Sequence, residues 1–229
     1  MDKLLFLSQI SLLEELSNEE LQVIDELSSM KPVKKGTIII DPNLPIKALF
    51  FLKKGQVRLY RMNAQGKEFT LDILTDGNIF GETSTLSLID DQVYAQAMTD
   101  TYLCVMGKSE FESFIEKNPK IALKFISILS ARLKDVYEMS EKIALGDVKY
   151  RVLYLLLKLS EKSGKRKNEW QTIEMKLTHQ DIATMVGSTR ETTSTIISQL
   201  KKEGFLKKGI RSLAIHVDNV NKHINSQYL

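Results

Sequence analysis

Arg190, Glu191, Ser194, Thr195 and Ser198 form a row of side chains whose types and spacing match one specific chemistry. A guanidinium donates two parallel hydrogen bonds that fit O6 and N7 of guanine, and a carboxylate accepts from the N4 amino group of cytosine. Arg190 and Glu191 can therefore read adjacent base pairs in a major groove, with Ser194 and Thr195 beside them. Other chemistries lack their residues. Cys104 is the only cysteine, which excludes an intrachain disulfide, a four-cysteine iron–sulfur cluster and a cysteine-type zinc site. The histidines are His179, His216 and His223, so a histidine-held haem or cupin-type metal site in residues 1–178 has no ligands. A phosphate loop, a Ser-His-Asp trio in plausible order and a metal-ligand cluster are missing. The expectation is a binding protein with no catalytic residues, no metal and no cofactor.

Two short helices must hold the row. Thr178 with Asp181, and Ser188 with Glu191, each place a hydroxyl three residues before a carboxylate, the spacing that satisfies the free amides of a first helical turn. Gly187 falls between them, where a tight turn needs a residue without a Cβ. Ile182, Val186, Ile196 and Leu200 supply the apolar contacts between the pair. An ordinary helical hairpin with a wet polar face would carry the same pattern. Residues 205–217, however, add a strand, a Gly-containing turn with basic flanks and a second strand, and a helix-turn-helix followed by a basic hairpin describes a winged helix. Lys201, Lys208 and Arg211 stand where cations would meet phosphates. His179 opens the first helix as a phosphate neighbour or as plain surface. From residue 146 to the end there are 15 Lys and Arg against 8 Asp and Glu, a balance of +7, whereas residues 1–145 carry 17 against 21, or −4. That asymmetry fits a C-terminal part facing a phosphate backbone, or simply a solvated basic surface.

A chain of 229 residues, 43% apolar and 27% charged, has room for two domains with proper cores. No membrane segment is indicated. Residues 1–16 are apolar, but Asp2, Ser8, Gln9 and Glu14 interrupt them and no small-residue cleavage site follows, so they read as an amphipathic helix of a cytoplasmic protein. A second helix starts at Ser17, with Leu21, Ile24 and Leu27 on one side. From about 31 to 105 come short runs rich in Val, Ile, Phe, Leu and Thr, at 37–40, 48–52, 56–62, 69–74, 93–98 and 101–106, with Gly, Pro, Asn and Asp between them. Such spacing predicts an antiparallel sandwich or barrel. Cys104 lies in one of these apolar strands and reads as a buried small hydrophobe, since a redox thiolate needs exposure and a nearby positive charge. A short helix from 108 ends near Asn118-Pro119. The run 120–145 then repeats Ile126, Leu129, Leu133, Val136, Met139 and Ile143 at three- and four-residue steps. This narrow stripe wants a second chain, its own β domain, or both on different faces. Gly146-Asp147 breaks the run. A helix over 148–161 follows, then a loop over 162–169 and a short strand over 172–177.

Four segments in this order and spacing resemble the family of the cyclic-AMP receptor protein and the fumarate-nitrate regulator, bacterial transcription factors. They are residues 51–60 (FLKKGQVRLY), Gly77-Asn78-Ile79-Phe80-Gly81-Glu82, Arg151 with Leu155 and Leu156, and Ile182-Ala183 through Val186-Gly187-Ser188-Thr189-Arg190-Glu191-Thr192-Thr193. The resemblance implies an α+β fold in three parts: a jelly-roll-like β-roll sensor domain of the cyclic-nucleotide-binding type over 1–118, a dimerisation helix over 119–145, and a winged helix-turn-helix over 146–229. It also implies a homodimer on a near-palindromic double-stranded DNA site, with RNA polymerase as a further partner. Carried over by residue, it places Arg190 and Glu191 on base edges and Thr178, Gln180 and Thr189 near phosphates. The dimer interface falls on Ile126, Leu129, Leu133, Val136, Met139 and Ile143.

Two departures matter. The next base-reading arginine of the cyclic-AMP receptor falls on Thr195, which cannot make a bidentate guanine contact, so the target site should overlap the receptor's only in part. An effector pocket would involve Gly81, Glu82 and Thr83 with Val136 and Tyr137, where the adenine-facing polar residues fall. No Lys or Arg lies between Glu82 and Ala97, and Asp91 occupies the place of the phosphate-holding arginine. A carboxylate beside a phosphate is repulsive. The effector is therefore expected to be something other than cyclic AMP, or absent; the alternative is a cyclic-nucleotide-responsive regulator with a non-standard pocket. A cyclic-nucleotide module of a kinase or channel would show the phosphate arginine and no helix-turn-helix, the reverse of this sequence.

Overall fold

In a computed structural model the chain is described over residues 17–44, 48–82, 88–89, 91–175, 177–208 and 213–226. It forms two compact units, Met1–Lys134 and Asp135–Leu229. The helix expected over residues 1–16 lies outside the described residues.

The first unit opens with α1 (Asn18–Leu27), held by a capping box in which Glu20 N–H donates to Ser17 Oγ at 3.2 Å and Ser17 N–H to the Glu20 carboxylate at 2.8 Å. Eight strands follow: β1 (Ser28–Val33), β2 (Ile38–Ile40), β3 (Ala48–Lys54), β4 (Val57–Met62), β5 (Glu68–Leu74), β6 (Ile79–Gly81), β7 (Tyr94–Ala97) and β8 (Thr101–Gly107). They make two antiparallel four-stranded sheets in the orders β1-β8-β3-β6 and β2-β7-β4-β5. The expected short-strand domain is present, with two strands more than the pattern announced. β1 is mostly exposed and contains Pro32, which an edge strand tolerates because one side of its backbone needs no partner. β6 is three buried residues inside the Gly-Glu segment. Gly81 has φ +109°, and a Cβ there would sit 2.2 Å from the Ala48 carbonyl, so the β3–β6 pairing requires a glycine.

Between the sheets pack Leu52, Val57, Leu59, Leu74, Phe80, Val93, Ala95 and Leu103, with Phe50 and Phe80 stacked at 5.1 Å. A second cluster joins Leu21 and Ile24 of α1 to Leu49, Phe51, Cys104 and Met106. It also takes in Phe111 and Phe114 of α2 (Lys108–Lys117) and Ile121 and Phe125 of α3 (Pro119–Leu145). Cys104 is fully buried there, as expected of a small hydrophobe. α2 ends at Asn118, whose side chain donates to the Phe114 carbonyl at 2.9 Å, and Pro119 opens α3 at a position where a missing N–H costs nothing.

In the second unit α4 (Val148–Ser163) is capped by Asp147, which accepts from Tyr150 N–H at 2.7 Å. The last turns of α3 are tied to α4 by Glu138, which accepts from Tyr154 Oη at 2.9 Å and pairs with Lys158 at 3.0 Å. Burial first, and then this bond, push the Tyr154 hydroxyl pKa well up from its ordinary value of 10. A small sheet in the order β11-β12-β10-β9 comprises β9 (Arg166–Lys167), β10 (Trp170–Ile173), β11 (Leu206–Lys208) and β12 (Leu213–His216). The strand expected over 172–177 is thus displaced toward the N-terminus, because pairing with β12 aligns Trp170 with His216 and Ile173 with Leu213. The expected loop over 162–169 contains β9, paired to β10 through Arg166 and Lys167. α5 (His179–Val186) and α6 (Arg190–Lys202) lie between β10 and β11, and α7 (Val217–Ser226) follows β12 with Val217, Val220 and Ile224 buried.

Candidate DNA interface

The pair α5 and α6 is built from its caps inward. At α5, Asp181 N–H donates to Thr178 Oγ1 at 3.1 Å and Thr178 N–H to Asp181 Oδ2 at 2.7 Å, the expected capping box. Gly187 closes α5 in the left-handed region, at φ +66° and ψ 41°, where a side chain would be strained. Ser188 N–H then reaches back to the Ala183 carbonyl at 2.9 Å. With its backbone held in that turn, Ser188 is not the cap of the second helix. Thr189 is: its Oγ1 accepts from Thr192 N–H at 3.1 Å, so the expected Ser188–Glu191 box moves by one residue and Glu191 is free of capping. Ile182, Val186, Ile196 and Leu200 are buried as expected, joined by Ala183, Met185, Ile197 and Thr193.

The opposite face of α6 presents Arg190, Glu191, Thr195 and Ser198 to solvent, with Ser194 half-buried. Arg190 and Glu191 stand in the first turn, where unpaired amides and the helix dipole favour a negative neighbour. The three hydroxyls turn back onto their own helix. Ser194 Oγ donates to the Arg190 carbonyl at 2.8 Å, Thr195 Oγ1 to the Glu191 carbonyl at 3.1 Å, and Ser198 Oγ to the Ser194 carbonyl at 2.9 Å. His179 Nδ1 lies 2.8 Å from Ser194 Oγ, which ties the start of α5 to α6.

Around this face the charges are arranged by position. Gln180, Lys201, Lys202, Lys207 and Lys208 are exposed. Glu203, the acidic residue at the end of α6, is bound by Lys149 at 2.8 Å and by Gln199 at 2.9 Å. These two bonds, the lysine's first, hold its carboxyl below the ordinary carboxylate range. Lys207 Nζ sits 4.0 Å above the Trp170 ring, which lies 5.0 Å from the His216 ring, so one wing cation rests on an aromatic platform. Sequence reasoning had no signal for this contact, because Trp170 and Lys207 meet only through the strand order. Arg211 lies outside the described residues.

On the sensor side, Glu82 N–H donates to the Ala48 carbonyl at 3.1 Å and Asp91 is exposed in a turn. Thr83 lies outside the described residues. Val136 and Tyr137 belong to the second unit and are 58% and 66% exposed. Along α3 the stripe is open, with Ile126 59% and Leu133 51% exposed and Leu129 and Met139 half-buried. The side chain of Ile143 is outside the described set. Among the described residues no group of His, Cys, Asp and Glu could hold a metal ion, and no helix is long and apolar enough to cross a membrane.

An antiparallel β domain and a winged helix-turn-helix in one chain define a class, the sensor-type regulators that bind DNA. Known proteins make the assignment specific. The family profile of the cyclic nucleotide-binding domain matches residues 30–118, and that of the Crp-like helix-turn-helix domain matches residues 150–222. The global nitrogen regulator of Synechococcus elongatus is 30% identical over 171 residues, 74% of this chain and 77% of the relative. That of a Nostoc species is 29% identical over 185 residues, 80% and 83% of the two chains. The solved structure of a CooA mutant from Carboxydothermus hydrogenoformans superposes with a TM-score of 0.74 at 25% identity, covering 89% of this chain and 90% of that one. The chain belongs to the Crp/Fnr family of transcription regulators and is a sequence-specific DNA-binding regulator of that type.

Proposed function

We propose that two copies bind a near-palindromic duplex, each placing the N-terminal half of α6 in a major groove. The observation that carries this reading is the division of α6 into a buried face and an exposed one that begins with Arg190 and Glu191. Arg190, Glu191, Ser194 and Thr195 meet base edges. Thr178, His179, Gln180, Thr189, Lys201, Lys208 and Arg211 flank phosphates. The protein works in the cytoplasm as a regulator, not as an enzyme, and RNA polymerase is a partner.

The stripe from Ile126 to Ile143, open at Ile126, Leu133 and Val136, is the surface on which the copies pair. Over 27 residues α3 is about 40 Å long, enough for a continuous two-helix seam. Pairing would set the two α6 helices about 34 Å apart, one turn of B-DNA. The parts are a sensor over 1–118, a pairing helix over 119–145 and a DNA-binding part over 146–229. A signal in the sensor acts by shifting the pairing and the break at residues 145–147. That break is tight, since a Cβ on Gly146 would meet the Lys142 carbonyl at 2.7 Å. A shift of a few kcal/mol in the balance between two arrangements is enough for a switch. The effector is not cyclic AMP, or none is needed, because Asp91 stands where a phosphate would require a cation.

Selection of bound duplexes from a random pool tests the reading. Two inverted half-sites, with centres 10–10.5 base pairs or a multiple apart, and affinity unmoved by cyclic AMP are the expected result. An asymmetric single site, or cyclic AMP dependence, contradicts it.

A further inference from the structure

Thr195 departs most from what the resemblance leads one to expect, and its conformation says what it does instead. It is exposed on α6, one turn beyond Glu191, and its Oγ1 donates to the Glu191 carbonyl at 3.1 Å. The Cβ of threonine carries two heavy groups, a hydroxyl and a methyl, in staggered wells. With the hydroxyl bonded to the preceding turn, the γ-methyl is the other heavy group that this exposed side chain offers. Ser194 and Ser198 bond their own helix in the same way but have no methyl to present. Of the three side chains whose hydroxyls bond their own helix at Arg190, Glu191 and Ser194, Thr195 alone supplies an apolar contact point. The major groove has one apolar feature on its base edges, the C5 methyl of thymine.

We propose that Thr195 is a specificity-determining residue that reads a thymine C5 methyl through its own γ-methyl, beside the base pairs engaged by Arg190 and Glu191. The proposal rests on the DNA-reading role of α6. A competing use of the hydroxyl, accepting from an adenine amino group, predicts no sensitivity to the loss of any thymine methyl.

The test uses the full chain and the consensus duplex recovered by the selection above, remade with deoxyuridine in place of each thymine in turn, which removes only the C5 methyl. For the wild-type chain, one thymine position per half-site should lower affinity about fourfold when replaced, the equivalent of about 0.8 kcal/mol for one buried methyl. Thr195→Ser should bind the thymine and deoxyuridine duplexes equally, and Thr195→Val should keep the fourfold difference. No sensitive thymine at all, or a difference kept by Thr195→Ser and lost by Thr195→Val, overturns the proposal. Failure of the DNA reading itself looks different: no duplex is then enriched over scrambled sequence, or Arg190→Ala leaves the preference for the enriched duplex unchanged.

Discussion

Thr193→Val should make the DNA-binding unit more stable. Thr193 is fully buried in α6 and its hydroxyl has no hydrogen-bond partner among the described residues. A buried hydroxyl without a bond costs roughly 1–3 kcal/mol in lost hydration. Valine keeps the branched shape, replaces the hydroxyl by a methyl whose burial contributes about 0.8 kcal/mol, and has a helix propensity close to that of threonine. A gain of about 2–4 kcal/mol follows. Trp170, the only tryptophan, lies in the same unit, so its fluorescence during urea unfolding follows this unit specifically. With a slope of about 2 kcal/mol per molar urea, the midpoint should rise by about 1–2 M. DNA affinity should not change, since the side chain reaches no surface. A Thr193→Val midpoint below that of wild type would refute the reasoning, because it would mean that the hydroxyl makes a bond worth more than its burial costs.

Gly187→Ala should destabilise the same unit by about 1–2 kcal/mol, because the left-handed backbone strains any side chain while the space around it is open, and Tm should fall by several degrees. Tyr154→Phe should cost about 1–2 kcal/mol through loss of the bond to Glu138, measured by urea unfolding at neutral pH. The same tyrosine sets an alkaline limit: above pH 10 the unfolded chain releases its proton while the folded one keeps it, so stability falls as pH rises. Tyr154→Phe should flatten that part of the pH profile, and an unchanged slope would count against the assignment.

What could be read from the sequence follows how local the cause is. The caps at Ser17 and Thr178, the turn at Gly187 and the apolar spacing of α6 are settled within a few residues, and they were legible. The second cap was misplaced because Ser188 and Thr189 are both hydroxyl residues, and the choice between them depends on Ser188 N–H closing the turn onto Ala183. β1 was hidden because its six residues, SSMKPV, show no apolar alternation and gain their place only by pairing with β8, between 68 and 78 positions away. β10 was shifted because its register is set by β12. At the proposed site, which residues of α6 are exposed was legible. The direction in which its hydroxyls point was not, because a rotamer is chosen by the carbonyl it meets. The charge distribution pointed to the right half of the chain, while the neutralisation of Glu203 by Lys149 needed the fold.

The account is tested most directly by the ratio of affinities for the selected duplex and a scrambled one, measured for wild type and for Arg190→Ala at one fixed, moderate salt concentration. A bidentate guanine contact predicts that the ratio drops by an amount corresponding to about 1–3 kcal/mol, with preference relaxed at one base pair per half-site. Equal ratios for the two proteins would mean that α6 does not read bases through Arg190.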